Sequence, residues 1–197
     1  MTLGKLEISR GFLFLAALLW YLDTDGVLPW AALACAVHEL GHLLAIRMCG
    51  GRVERVRLRA IGAELCLSAA YPLENAAQSI IALAGPLANL AAAFLSVRPG
   101  GGEGRTLFAG LCEVLALFNL LPAEKLDGGR ALCFLLGGRA PRVRHAISRA
   151  SAVLLLALGA ALLLKTGNFT LLIPAIWLFR DEEREKTKFF RKKSLHF

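Results

Sequence analysis

Charge is scarce in this chain. Only 19% of its 197 residues are Asp, Glu, Lys or Arg, against 56% hydrophobic, and the mean hydropathy is +0.57. That balance is too apolar for an ordinary soluble domain of this size and points to a membrane protein. Paired cysteines are lacking too. Cys35, Cys49, Cys66, Cys112 and Cys133 are odd in number, scattered and without a C-x-x-C spacing, so neither a disulfide framework nor a thiolate zinc site is indicated. They read as reduced, small apolar fillers. No small-residue cleavage pattern follows the first apolar run, Gly11 to Leu22, so that run reads as a retained span and not as a removable signal peptide. Internal repeats are missing, and the glycines of "RPGGGEGR" (98–105) lack the strand-to-helix context of a phosphate-binding loop. We read them as an external loop and expect one domain over 1–197, with its core at 28–135 and a basic tail at 180–197.

What the chain does have is a series of apolar runs, at about 11–22, 28–46, 79–97, 106–121, 150–164 and 168–179. Several are shorter than the roughly 20 residues that cross a bilayer untilted. The first lengthens if Lys5 and Arg10 snorkel, and the last, which contains Pro174, can be re-entrant. The expected fold is therefore an all-α polytopic membrane protein with about six transmembrane helices, five being the alternative. Short cytoplasmic loops carry excess Lys and Arg, and a cytoplasmic amino terminus with six spans puts eighteen of the 23 basic residues inside. The outer loops then hold Arg98, Arg105 and Lys165, with Lys125 and Arg130 set aside because they lie within the motif at 118–132. Both termini are thus expected in the cytoplasm, with the chain multi-pass in the cell membrane. The formal net charge of +8 reflects this asymmetry and not a nucleic-acid surface, since the basic residues cluster between apolar runs. Between the second and third runs, "RVRLRAIGAELCLSA" alternates Arg55, Arg57 and Arg59 with apolar residues and turns near Gly62. It predicts a short interfacial β-hairpin near 53–68, whose arginines meet anionic headgroups or face a substrate. The tail "FRDEEREKTKFFRKKSLHF" is expected along the membrane surface or mobile.

Inside the second run stands "AVHELGHLLA" (36–45). Residues four apart share a helix face, so His38 and His42 can offer two imidazole nitrogens to one metal with Glu39 beside them. H-E-x-x-H is the zinc hydrolase arrangement. Neutral imidazoles hold Zn²⁺ at about 2.0–2.1 Å, and an open position lowers the pKa of a bound water from about 16 to about 7. A neighbouring carboxylate can take that water's proton and pass it to the leaving amine; Glu39 is placed for this. A chance match would have to bury a carboxylate at bilayer depth, at about 2.5–3.5 kcal/mol on insertion scales, together with two imidazoles. A metal compensates for both.

Catalytic zinc usually has three protein ligands. In "FNLLPAEKLDGGRAL" (118–132), Asp127 follows an apolar helix ending at Pro122 and precedes Gly128 and Gly129, which permit a sharp turn. Alone, Asp-Gly-Gly is a turn as readily as a ligand site. If the second and fourth spans run in the same direction, however, the histidines and Asp127 arrive at similar depth near the inner face. His145 and His196 lie in basic segments and are weaker ligands by position. Glu113 is a second intramembrane carboxylate with a structural or cavity-lining role.

Three ordered motifs, "HELGH" (38–42), "AGPLAN" (84–89) and "FNLLPAEKLDGGR" (118–130), resemble those of the site-2 proteases, zinc intramembrane metalloproteases, and especially the small bacterial branch that includes the stage IV sporulation protease. The resemblance runs from about residue 30 to 135. It implies one Zn²⁺ per chain held by His38, His42 and Asp127, with Glu39 as base. It also implies that Asn89 and Asn119 position substrate or stabilise the developing oxyanion, unless they serve interhelical hydrogen bonds, and that the hairpin around Gly62 lies against an extended substrate. The implied reaction is hydrolysis of a peptide bond within or beside a transmembrane segment of another protein. The partners are then a membrane-protein substrate and the lipid bilayer, with no nucleic acid and with oligomeric state undetermined. In this chain Glu124 and Lys125 stand where relatives often carry prolines before L-D-G. The chain also stops soon after its last apolar run, so control by an appended nucleotide-sensing module is not expected. The competing reading is a non-proteolytic membrane metal-binding protein, a pseudoprotease or metal transporter. A transporter would spread ionisable residues along a pathway, and a pseudoprotease would be expected to lose Glu39 or a ligand.

Overall fold

The computed structural model describes residues 2–3, 6–59, 62–68, 72–97, 102–137 and 141–180. The chain divides into two compact units, 1–119 and 120–197. Residues 98–101 of the external loop read at 98–105, and the tail beyond Arg180 with His196, lie outside the described residues.

The first unit opens with β1 (Thr2–Leu3) and β2 (Leu6–Ile8), then α1 (Arg10–Leu22) and α2 (Leu28–Met48). Ser9 caps α1, its Oγ accepting from the Phe12 N–H at 3.1 Å, one of the donors that a helix start leaves without a partner. Asp23 accepts from the N–H groups of Val27 and Leu28 at 2.8 and 2.9 Å, just ahead of Pro29 in the first turn of α2. The expected hairpin is present as β3 (Val53–Arg59) and β4 (Gly62–Leu67), paired antiparallel from Arg59↔Gly62 to Val53↔Leu67. Gly62 holds a φ of 92°, a backbone region that L side chains disfavour.

The hairpin is part of a larger sheet. The order is β1-β2-β3-β4, with β2 parallel to β3 through Leu6↔Val56, Glu7↔Arg57 and Ile8↔Leu58. This pairing gives the arginines a role that alternation alone did not reveal. Glu7 accepts from Arg57 at 2.8 Å and Arg55 at 3.2 Å, and Arg59 pairs with Glu64 at 2.8 Å. Hydrogen bonds from Arg57 first and Arg55 second hold the Glu7 carboxyl below its ordinary value.

α3 (Asn75–Ser96) and α4 (Glu103–Leu120) complete this unit, the last residue of α4 falling across the boundary. α2 and α3 pack closely because their facing residues are small: a Cβ on Gly41 would lie 2.6 Å from the Ala84 carbonyl oxygen and 2.7 Å from the Ala88 methyl. Such contacts, and not expulsion of water, are what bring helices together in lipid. Ala34, Ala93, Ala109 and Cys112 form the core beside them, with Phe108 partly buried against it. Larger apolar side chains, Leu40, Leu44 and Phe94 among them, face outward.

The second unit contains α5 (Asp127–Leu135), α6 (Pro141–Thr166) and a last helical stretch at 172–180. α6 starts well before the apolar run read at 150–164, so Arg142, Arg144, His145 and Arg149 ride on the same helix as the apolar residues. Proline at its first position suits a helix start, where an N–H has no partner. Close packing recurs between Gly159 and Leu172, with Ala175 and Leu178 buried.

Among the described residues, α2, α3 and α6 are long and apolar enough to cross a membrane. The other apolar runs form shorter or more charged helices. α1 has 13 residues, α4 carries Glu103, Arg105 and Glu113, and 172–180 is a short helix with Pro174 in its first turn. The fold is mainly helical with one small sheet, as expected, and three helices meet the dimensions of a span.

Candidate metal centre

His38 and His42 both lie within α2 and are buried, at 6% and 8% exposure. Helical spacing sets their rings edge to face at 81°, with the two Nε2 atoms 3.1 Å apart. The Nδ1 of His42 lies 2.7 Å from the carbonyl oxygen of Ile81 in α3. A carbonyl can only accept, so Nδ1 carries the proton and Nε2 presents its lone pair inward. One turn along α3 from Ile81 comes Gly85, and one turn further Asn89. The three positions, four residues apart, form one stripe facing the histidines.

Gly85 keeps the space over the two rings open. A Cβ there would lie 2.6 Å from the His42 Cε1 and 2.8 Å from the His38 Nε2, inside van der Waals contact with both. Asn89 is fully buried, its Nδ2 3.4 Å from the His38 Nδ1, and its Oδ1 has no hydrogen-bond partner among the described residues. Each ring thus has its Nδ1 against a polar group of α3 and its Nε2 toward the space above Gly85; for the His38 Nε2 to present a lone pair, its Nδ1 must donate, which requires the oxygen and not the nitrogen of the Asn89 amide turned to it. This fits a metal ion: two nitrogens bound to one tetrahedral zinc at about 2.0–2.1 Å each stand roughly 3.3 Å apart, close to the separation found. Glu39 follows His38 on α2 and is half-buried.

In the second unit Asp127 is buried, at 7% exposure, as the first residue of α5. A carboxylate is favourable at a helix N-terminus, where unpaired N–H groups carry partial positive charge. Gly128 and Gly129 do not make the expected sharp turn; they are helical. They are glycine because of crowding. A Cβ on Gly128 would meet the Leu120 and Leu121 carbonyls, and one on Gly129 the Ala123 carbonyl and the Glu124 nitrogen. The preceding segment is folded onto the first turn of α5, with Leu126 N–H donating to Ala123 at 2.9 Å.

The remaining candidates are placed as follows. Asn119 is half-buried and its Nδ2 donates to the Leu115 carbonyl of its own helix at 2.9 Å. His145 faces Glu124 at 3.2 Å. Glu113 and Cys35 are exposed. The structure brings His38, His42 and Asn89 together. It adds the Ile81 carbonyl and the bare Cα of Gly85, whose part in the site sequence reading missed; the signal was the four-residue spacing of 81, 85 and 89.

The model of the family described as Peptidase M50B-like matches residues 12–170. The chain belongs to the Peptidase M50B-like family. Rip3 of Mycobacterium tuberculosis, named as a zinc metalloprotease, is 33% identical over 180 residues, covering 83% of this chain and 44% of Rip3. Zinc metalloprotease MJ0392 of Methanocaldococcus jannaschii is 24% identical over 192 residues, covering 88% of this chain and 55% of that protein. The M50B-like chain therefore spans about half the length of the curated relatives it matches. Among solved structures, a site-2 protease from Methanocaldococcus jannaschii matches with a TM-score of 0.64 at 21% identity, over 94% of this chain and 93% of that one. That likeness shows the fold. With the family, it makes this M50B-like chain a membrane protein of site-2 protease architecture.

Proposed function

We propose that the chain is an intramembrane zinc metalloendopeptidase that hydrolyses a peptide bond within or beside a transmembrane segment of another membrane protein. The observation that carries this reading is the buried imidazole pair, Nε2 atoms 3.1 Å apart, with Gly85 leaving room for an ion above it. We propose His38, His42 and Asp127 as the ligands of one Zn²⁺. Each offers one ligand atom and all three are buried. Bound there, zinc supplies an acidified water and polarises the scissile carbonyl.

The chain's own residues do the rest. Glu39 takes the proton of the attacking water and delivers it to the leaving amine. The Ile81 carbonyl keeps the His42 Nδ1 protonated, so that its Nε2 stays a ligand. Asn89, buried beside the His38 Nδ1, serves that ring in preference to substrate. Asn119, whose amide is held by its own helix, is left as the candidate for positioning substrate. A substrate helix hides its carbonyls in its own hydrogen bonds and must unwind before attack. β4 ends the sheet, and an extended segment added to its outer edge would satisfy the freed backbone groups. The full topology belongs to the same proposal: six spans in the cell membrane with both termini cytoplasmic. A sporulation precursor is one substrate that the resemblance suggests.

The test is Glu39→Gln. It is expected to keep about one zinc per chain while abolishing cleavage of a co-expressed membrane protein substrate and trapping that substrate for identification. Undiminished cleavage sinks the mechanism.

A further inference from the structure

A zinc ligand must be held to a fraction of an ångström, and the groups behind it do the holding. Asp127 stands directly after the segment 121–126, which has a proline at 122 but Glu124 and Lys125 at the two positions nearer the aspartate, where further prolines would stiffen the backbone by fixing φ. The second unit shows what replaces them. The Oε1 of Glu124 accepts from the Arg144 Nε at 2.9 Å and faces the His145 Nδ1 at 3.2 Å, both on α6. The backbone N–H of Glu124 donates to the Oγ of Ser148, one turn further along α6 and fully buried. The same guanidinium reaches α5, its Nη1 donating to the Cys133 Sγ at 3.0 Å. The side chains of Arg144 and Glu124 are only 19% and 24% exposed, so the pair is sheltered from the screening that weakens surface ion pairs.

The contacts form an unbroken chain. Ser148 and Arg144 hold the 123–124 peptide; that peptide lies where a Gly129 Cβ would sit; and Gly129 belongs to the turn of α5 that begins with Asp127. We infer that Glu124 is a positioning residue, its ion pair with Arg144 and its backbone bond to Ser148 fixing the turn that presents Asp127. An ion pair and a hydrogen bond here do what a proline ring does covalently, so α6 sets where the Asp127 carboxylate lies.

The inference rests on Asp127 being a zinc ligand, and the experiment separates the two. Zinc affinity of the full purified chain is measured by chelator competition for the unmodified chain, Asp127→Ala, Glu124→Ala, Arg144→Gln, the reversed pair Glu124→Arg with Arg144→Glu, and each single change combined with Asp127→Ala. The single variants are expected to bind zinc about ten- to hundredfold more weakly. The reversed pair should recover affinity, and neither change should weaken binding further once Asp127 is gone. If Asp127→Ala leaves affinity unchanged, the ligand assignment fails and the inference with it. If Asp127→Ala weakens binding but Glu124→Ala does not, or if Glu124→Ala acts equally without Asp127, the inference alone is overturned. Ser148→Ala, which spares the ion pair, is the second variant should Glu124→Ala not fold; its expected effect is a severalfold weakening that likewise vanishes without Asp127, and its absence counts against the inference.

Discussion

A single methyl group at Gly85 would be enough to close the metal centre. Gly85→Ala places it against both imidazoles, so metal content should fall from about one zinc per chain to near zero while helical content is kept; full occupancy by elemental analysis would show that the space is not used. Gly41→Ala is the contrasting case, since it meets backbone of α3. It should lower stability by about 1–3 kcal/mol, the usual effect of overpacking, seen as a reduced Tm in detergent. Asn89→Leu, close in volume, removes the amide beside the His38 Nδ1 and should weaken zinc binding about tenfold without changing the fold. Much of this site was legible in the sequence. His38, Glu39 and His42 are local, their spacing set by one helix, so five letters suffice to place them. Gly85 and the Ile81 carbonyl were not legible as site groups, because their role depends on which face of α3 meets α2. That is a tertiary fact, and a carbonyl has no letter of its own.

Among the elements, the strand β2 has the clearest measurable consequence. Glu7 ties it to β3, and the two arginines hold its carboxyl below the ordinary value. A carboxyl depressed in the folded state contributes stability above its unfolded pKa and loses it as pH falls through the lower folded one. Protection of the β2 amides, corrected for intrinsic exchange, should therefore be flat from neutral pH to about 5 and fall below about 4. Glu7→Gln should lower the plateau and remove the slope; an unchanged profile would mean the pair does not hold the strand. The hairpin it joins was legible from alternation with a turn at Gly62, whereas β2 was not, because three residues are too few to show a period. Helix ends were legible only in part. Gly128 and Gly129 suggest a turn by composition, yet they start α5, since what they provide is room for the backbone of 120–124 and not a change of direction.

On the scale of the whole chain, sequence reading found the site-2 protease architecture and membrane placement but drew its spans from apolar runs and loop charge. The basic residues of 142–149 were counted among the inner segments between apolar runs, yet α6 runs through them. Orientation is a separate matter of charge. A reporter fused at Phe197 should read cytoplasmic; an external signal would overturn the proposed six-span arrangement. The buried residues are largely alanine, with glycine and serine among them, while Phe94, Met48 and Leu164 are more than four-fifths exposed. An aqueous protein arranges these sizes the other way round. Moved into water, this molecule would leave its bulkiest apolar groups wetted and shield mainly methyls, a distribution the hydrophobic effect would drive it to invert. The hydrocarbon around the chain is thus a component of the folded state, and a melting temperature describes the protein and its solvating lipid or detergent jointly. The proposed cleavage activity, where extraction abolishes it, should return on reconstitution in acyl chains of suitable length, with no peptide bond or ligand having been altered.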